Sequence, residues 1–133
     1  MDVHYVGKIE RKLYRYVADD NIITDEVIIT DNRIQHIIER RGQLFYNEYK
    51  EYFAEIVENP DYIFKDKAKN TAIASKVFEH NGTTVNLVVK LIVESENKEY
   101  KNSIITAIKE NEKRFKQRLR NNMPIYKRVD KSE

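Results

Sequence analysis

Two stretches of strand-period sequence meet at Asn81-Gly82, and this junction constrains the fold more than any other feature of the chain. Residues 71–79 and 83–94 are apolar at alternate positions and flank His80-Asn81-Gly82. Asn-Gly between such runs is a hairpin signal, because both residues tolerate the positive φ that tight turns require. A two-residue turn there sets Phe78 opposite Val85 and Val77 opposite Asn86. Side chains alternate along a strand. Val85, Leu87, Val89, Leu91 and Val93 therefore share one face, and Asn86, Val88, Lys90 and Ile92 the other. Lys90 interrupts an otherwise apolar strand, either at a rim with its amine in water or towards a bound anion. Residues 102–108 read as a further strand. Strict alternation puts Ile104, Thr106 and Ile108 on one face and Ser103, Ile105 and Ala107 on the other.

Helical periodicity appears on both sides of these strands. Thr30 or Asp31 can cap a first turn and Gly42 can close a helix end, so TDNRIQHIIERRG predicts a helix of about three turns. At about 100° per residue, Ile34, Ile37 and Ile38 fall on one side, and Arg33, His36 and Arg40 on the other. Residues 44–58 predict a longer amphipathic helix through Phe45, Tyr49, Tyr52, Phe53, Ile56 and Val57, ended by Asn59-Pro60. Residues 3–17 read as one or two short strands, and Asn111 can cap a last helix running to about Arg120. The expected fold is α+β: N-terminal helices on one face of an antiparallel β-sheet, the other face open to a ligand, then a C-terminal helix and a basic tail over residues 121–133. A length of 133 residues suits a single domain over residues 1–133.

Composition removes several function classes. The chain has no cysteine, which excludes disulfides, a cysteine nucleophile and thiolate zinc sites. It contains no glycine-rich phosphate loop, HExxH or nucleophile elbow, and no metal or cofactor is expected. No apolar run approaches the ~18 residues of a membrane span and a secretory signal is lacking, so a cytoplasmic setting without membrane is expected. The net charge is +2, yet residues 109–133 hold nine Lys or Arg against four Asp or Glu. A basic end predicts an anionic partner, nucleic acid before membrane. Lys113, Arg114, Lys127 and Arg128 are its candidate phosphate contacts.

The stretches DEVIITDNRIQHIIERRG, NPDYIFKD, KNTAIASKVF and NSIITAIK, in this order and around a long amphipathic helix, resemble the phage-associated barnase–EndoU–colicin–RelE-like nucleases over roughly residues 20–120. The resemblance implies a metal-independent ribonuclease fold, tRNA-cleaving toxins among its members, and an immunity or antitoxin protein as a second partner beside RNA. It places His36 at the helix histidine and Thr106 at the hydroxyl residue of the late strand. Relatives often carry a second histidine at the helix end, where this chain has Arg41.

Cleaving RNA without a metal needs a group to move the 2′-hydroxyl proton, cations on the phosphorane, and an acid for the leaving oxygen. Histidine titrates near neutrality and serves proton transfer. Arginine presents a planar fork of donors that stays charged. The candidate catalytic residues are His36, Arg40, Thr106 and Lys90, with Arg33 and Ser103 in substrate binding. His4 and His80 read as surface residues. Together with the resemblance, these residues imply an RNA-cleaving enzyme, a toxin or mobile-element effector. The alternative is a non-catalytic RNA- or protein-binding module on the same fold, in which the His36 face is simply solvated.

Overall fold

The computed structural model describes residues 2–129. Strand β1 (Val3–Lys8) runs antiparallel to β2 (Glu26–Thr30), with α1 (Arg11–Tyr14), a single helical turn, between them. Helices α2 (Asp31–Arg41) and α3 (Gln43–Tyr49), a 3-10 turn (Lys50–Tyr52) and α4 (Phe53–Glu58) follow. Then come β3 (Tyr62–Lys65), β4 (Thr71–Phe78), β5 (Thr83–Lys90), β6 (Asn102–Glu110), α5 (Glu112–Asn121) and β7 (Tyr126–Lys127). All seven strands form one sheet in the order β1-β2-β6-β5-β4-β3-β7.

One face of this sheet holds the main core. Val85, Leu87 and Val89 of β5, Ala72 and Ala74 of β4, Ile104 and Ala107 of β6 and Val27 of β2 are fully buried there, with Ile37, Ile56 and Val57 from the helices. Helix α4 touches β1 as well as β4 and β5, although those strands are well separated in the order, so the sheet curls around it. Gly7 permits that closure. A Cβ at Gly7 would lie 3.3 Å from Ala54 Cα. Tyr14 sits in the same core with its hydroxyl donating to Val57 O at 2.7 Å, and burial pushes its phenol well above the ordinary value.

The structure corrects the expected layout in several places. The sheet is mixed rather than antiparallel, because β2 and β6 run parallel through Val27–Asn102 and Ile28–Ser103. Helices cover both faces rather than one. On the second face Phe115 of α5 packs on Phe64 and Ile73, with Tyr62, Val77, Val88 and Leu119 around them, because α5 presents its Phe115–Leu119 stripe to an apolar strip of β3, β4 and β5. Helix α5 also touches β6, the strand it follows, while β2 and β1 lie farther along the sheet. Residues 3–17 form one strand and a helical turn. The helix expected over residues 44–58 is broken at Lys50–Tyr52, where the tighter 3-10 winding re-aims Phe53, Ile56 and Val57 into the core.

The hairpin at Asn81-Gly82 forms, but over a four-residue loop that pairs Phe78 with Thr83. A type I′ turn needs positive φ at both central residues, and here Gly82 alone adopts it (φ +68°). Asn81 instead accepts from Thr83 N through Oδ1 at 3.0 Å. The shift is two residues, so every side chain keeps its expected face. Strand β5 ends at Lys90, because Ile92 N turns to the buried Asn102 Oδ1 at 2.9 Å. The expected basic tail is not free along its length: Tyr126 and Lys127 pair with Ile63 and Tyr62 of β3. Its residues 130–133, Lys131 among them, lie outside the described residues.

Candidate functional site

Helix α2 forms as its local chemistry dictates. Thr30 accepts from Arg33 N at 3.3 Å, and Gly42, at φ +101°, closes the other end. Ile37 is buried, Arg33 and His36 are partly buried, and Arg40 is exposed. Among the described residues the side chains of Arg33, His36 and Arg40 make no hydrogen bond or ion pair. The helix packs along β6. Arg41 fixes it there by donating from Nε to Ala107 O at 2.9 Å, on the stretch of β6 that extends past its short pairing with β2. The residue at the position of a second histidine is therefore a clamp joining the His36 helix to the strand that carries Thr106.

Strand β6 itself departs from strict alternation. Its pairing with β5 steps from Val88–Thr106 to Val89–Ile104, leaving Ile105 as a bulge. An extra residue in one strand re-aims the side chains beyond it. Ser103, paired with Lys90, and Thr106, paired with Val88, therefore share a face, the one that α5 packs on. This overturns the expectation that they lie on opposite faces. Thr106 Oγ1 is buried without a hydrogen-bond partner, and it stands alone in this among the described side chains. Buried hydroxyls are nearly always paired, so this atom has desolvation cost and no compensation within the protein. Lys90 is half-buried, with Nζ 3.5 Å from Glu96 Oε2.

Farther along the same face, beneath α5, the polar groups are all paired. Ser75 donates to Asn86, Asn86 Nδ2 to Glu110 Oε1 at 2.7 Å, and Arg118 to both Glu110 oxygens at 3.0 and 3.1 Å. Ser75 and Asn86 are fully buried. Burial alone would raise the Glu110 pKa, but the hydrogen bonds from Arg118 and Asn86 outweigh it and hold the carboxyl below its ordinary range. A cleft of about 290 Å³ opens above, lined by Glu110, Arg114, Gln117, Arg118, Asn121 and Asn122. The sequence reading missed this chain because its members are far apart. Asn86 interrupting an apolar strand was the available signal. It also missed His4 Nε2 bonded to Asp31 Oδ1 at 2.6 Å. That hydrogen bond lowers the Asp31 pKa.

The structure thus brings Lys90 of β5 and Ser103 and Thr106 of β6 to one face. It places Arg33, His36 and Arg40 on α2, which packs along β6 with its Ile37 in the core on the other face. It does not bring the C-terminal cations to them. Lys113 and Arg114 lie in the first turn of α5. Lys127 and Arg128 lie at the β7 edge, four strand spacings or about 19 Å from β6 along the sheet. There Arg128 pairs with Asp61 at 3.4 Å. Arg118 and Lys116 are likewise paired, with Glu110 and Glu112. Among the described residues no group of three or more His, Asp or Glu side chains is placed to hold a metal ion, and no helix is long and apolar enough to cross a membrane.

A family model described as phage-Barnase-EndoU-ColicinE5/D-RelE like nuclease2 matches residues 4–127. The match contains the whole region of resemblance read from the sequence and extends it to His4. No curated protein and no solved structure matches the chain.

Proposed function

The chain belongs to the phage-Barnase-EndoU-ColicinE5/D-RelE like nuclease2 family, and from that premise we propose that it is a metal-independent endoribonuclease acting by 2′-hydroxyl attack to a cyclic phosphate. The observation that carries this reading is the bulge at Ile105, which sets an unpaired hydroxyl, Thr106 Oγ1, on the same face as Ser103 and Lys90. A non-bridging phosphate oxygen supplies the partner that Thr106 lacks. Lys90 and the guanidinium groups of Arg33 and Arg40 stabilise the charge that builds on the phosphorane. His36 takes the proton of the attacking 2′-hydroxyl and delivers it to the departing 5′-oxygen. Arg41, through Ala107 O, is the positioning residue that keeps this helix against β6. RNA is the proposed substrate, with tRNA the target that family resemblance favours, and the role a toxin or mobile-element effector restrained by an immunity or antitoxin protein.

The test is digestion of RNA by purified protein in EDTA, with the products examined for cyclic phosphate ends. His36→Ala abolishes most of the cleavage without lowering the melting temperature. Arg40→Lys keeps the charge, loses the fork and also costs activity. A wild type that binds RNA without cutting it assigns the chain to the non-catalytic alternative. A wild type that cuts, with His36→Ala cutting equally well, removes His36 from the active site.

A further inference from the structure

Away from β6, at the N-terminal end of the sheet, two open clefts run into each other. The larger, of about 1020 Å³, lies between the α1 segment and the loop joining β5 to β6, and its lining includes Arg11, Lys12, Arg15, Tyr16 and Lys98. The second, of about 540 Å³, continues along β1 past Tyr5 and Lys8. Arg11 and Ile23 line both, so the two form one trough.

Its chemistry is that of a strand-binding surface. Tyr5 and Tyr16, towards its two ends, are large aromatic side chains left 58% and 70% exposed, and Arg15 lies over the Tyr16 ring at 5.3 Å. Among the described residues Lys8, Lys12, Arg15 and Lys98 have no ion-pair partner. Three acids of the lining are ion-paired, Asp25 by Arg11, Glu26 by Lys101 and Asp19 by Lys65 at 3.9 Å. Asp20 and Glu94 accept hydrogen bonds from Asn21 and keep their charge, so the four unpaired cations outnumber the remaining acids four to two. Cations free to meet phosphates, with aromatic faces free to meet bases, are the two elements by which proteins hold single-stranded nucleic acid. The basic C-terminal segment has the charge but no comparable trough, and three of its cations are already paired.

We propose that this trough is a single-stranded RNA track that anchors the substrate outside the cleavage centre, Tyr5 and Tyr16 stacking on unpaired bases and Lys8, Lys12, Arg15 and Lys98 following the backbone. The proposal rests on the ribonuclease reading, and its test is independent of cleavage. A fluorescent single-stranded 2′-O-methyl RNA, which has no free 2′-hydroxyl to attack, is titrated with the full chain at several salt concentrations. Tyr16→Ala and Tyr5→Ala each weaken binding about tenfold or more, whereas Tyr16→Phe retains it. Lys12→Ala with Arg15→Ala lowers the slope of log affinity against log salt by about 1.4, two phosphates at about 0.7 each. A double-stranded probe is insensitive to Tyr16→Ala, because its bases are not open to stacking. All four residues are exposed, and unchanged thermal unfolding checks that the variants fold. Unchanged affinity and salt slope in Tyr16→Ala and the double variant overturn the track and leave the trough to a protein partner or to solvent. Loss of cleavage activity in the wild type with intact probe binding sinks the enzyme reading and leaves the track standing.

Discussion

Thr106 and Glu110 lie four residues apart on one strand and face the same side of one sheet, yet their surroundings are opposite. Around Glu110 the sheet is covered by α5, and Ser75, Asn86, Glu110 and Arg118 satisfy one another in a continuous chain. Around Thr106, opposite Val88 at the margin of the cluster under α5, a buried hydroxyl is left without a partner. A closed polar chain rigidifies a docking interface and leaves nothing for a ligand. An orphaned donor beside an amine and a second hydroxyl is a place where binding supplies what folding did not. Glu110's side of the face holds the fold, Thr106's side is the proposed place of chemistry, and substitutions on each side tell the two apart.

The largest effect is expected at helix α2, which packs along β6. His36→Ala should lower RNA cleavage by about 10²–10⁴-fold while leaving the unfolding midpoint where it was, since its side chain makes no hydrogen bond among the described residues. Loss of both activity and stability would make His36 part of the scaffold.

The covered region should respond the other way round. Glu110→Ala leaves the partly buried Arg118 without its carboxylate and the fully buried Asn86 without its acceptor. Because the pair borders an open cleft, breaking it costs about 1–3 kcal/mol, readable as a lower denaturant midpoint, with cleavage per folded molecule retained. Activity lost ahead of stability would move the catalytic centre to the cleft above Glu110.

A smaller, pH-dependent effect follows from the same carboxyl. Its folded pKa is depressed, against burial, by Arg118 and Asn86. The stability it contributes is therefore fully present above the unfolded value of about 4.3 and is lost as pH falls through the lower folded value. Acid unfolding of Glu110→Gln should show a shallower fall in stability over that window than the wild type. Identical acid limbs would mean that Glu110 is equally ionised in both states.

What was legible in the sequence was what is local. Thr30 and Gly42 mark the ends of α2 with their own side chain or φ, and alternation assigned the faces of β4 and β5 even though the loop length was misread by two residues. What was not legible depends on partners distant in the chain. Nothing within Ile104-Ile105-Thr106 announces a bulge, because all three are good strand residues and the extra one is decided by pairing with Val88 and Val89. The parallel β2–β6 pairing and the seating of α5 are likewise settled by tertiary packing. The candidate site therefore changed where the register changed: Ser103 joined Thr106, and Arg41 became a clamp.

The smallest expected effect is the most discriminating. Thr106→Val keeps the shape of the side chain, removes the hydroxyl and retains a β-branched residue suited to a strand. If Oγ1 were an ordinary paired group, the substitution would cost about 1 kcal/mol. Because the oxygen is buried and unpaired, its removal ends a desolvation cost, and stability should be unchanged or rise by up to about 1 kcal/mol. Affinity for RNA and the cleavage rate should fall at the same time, since the hydroxyl is proposed to meet a phosphate oxygen. Ser75→Ala, made on the covered side where the hydroxyl is paired with Asn86, should lose stability and keep activity. Opposite signs in this pair of substitutions are the expected outcome. Equal losses of stability would show that Thr106 is paired in solution, and the distinction between the two regions would then fall.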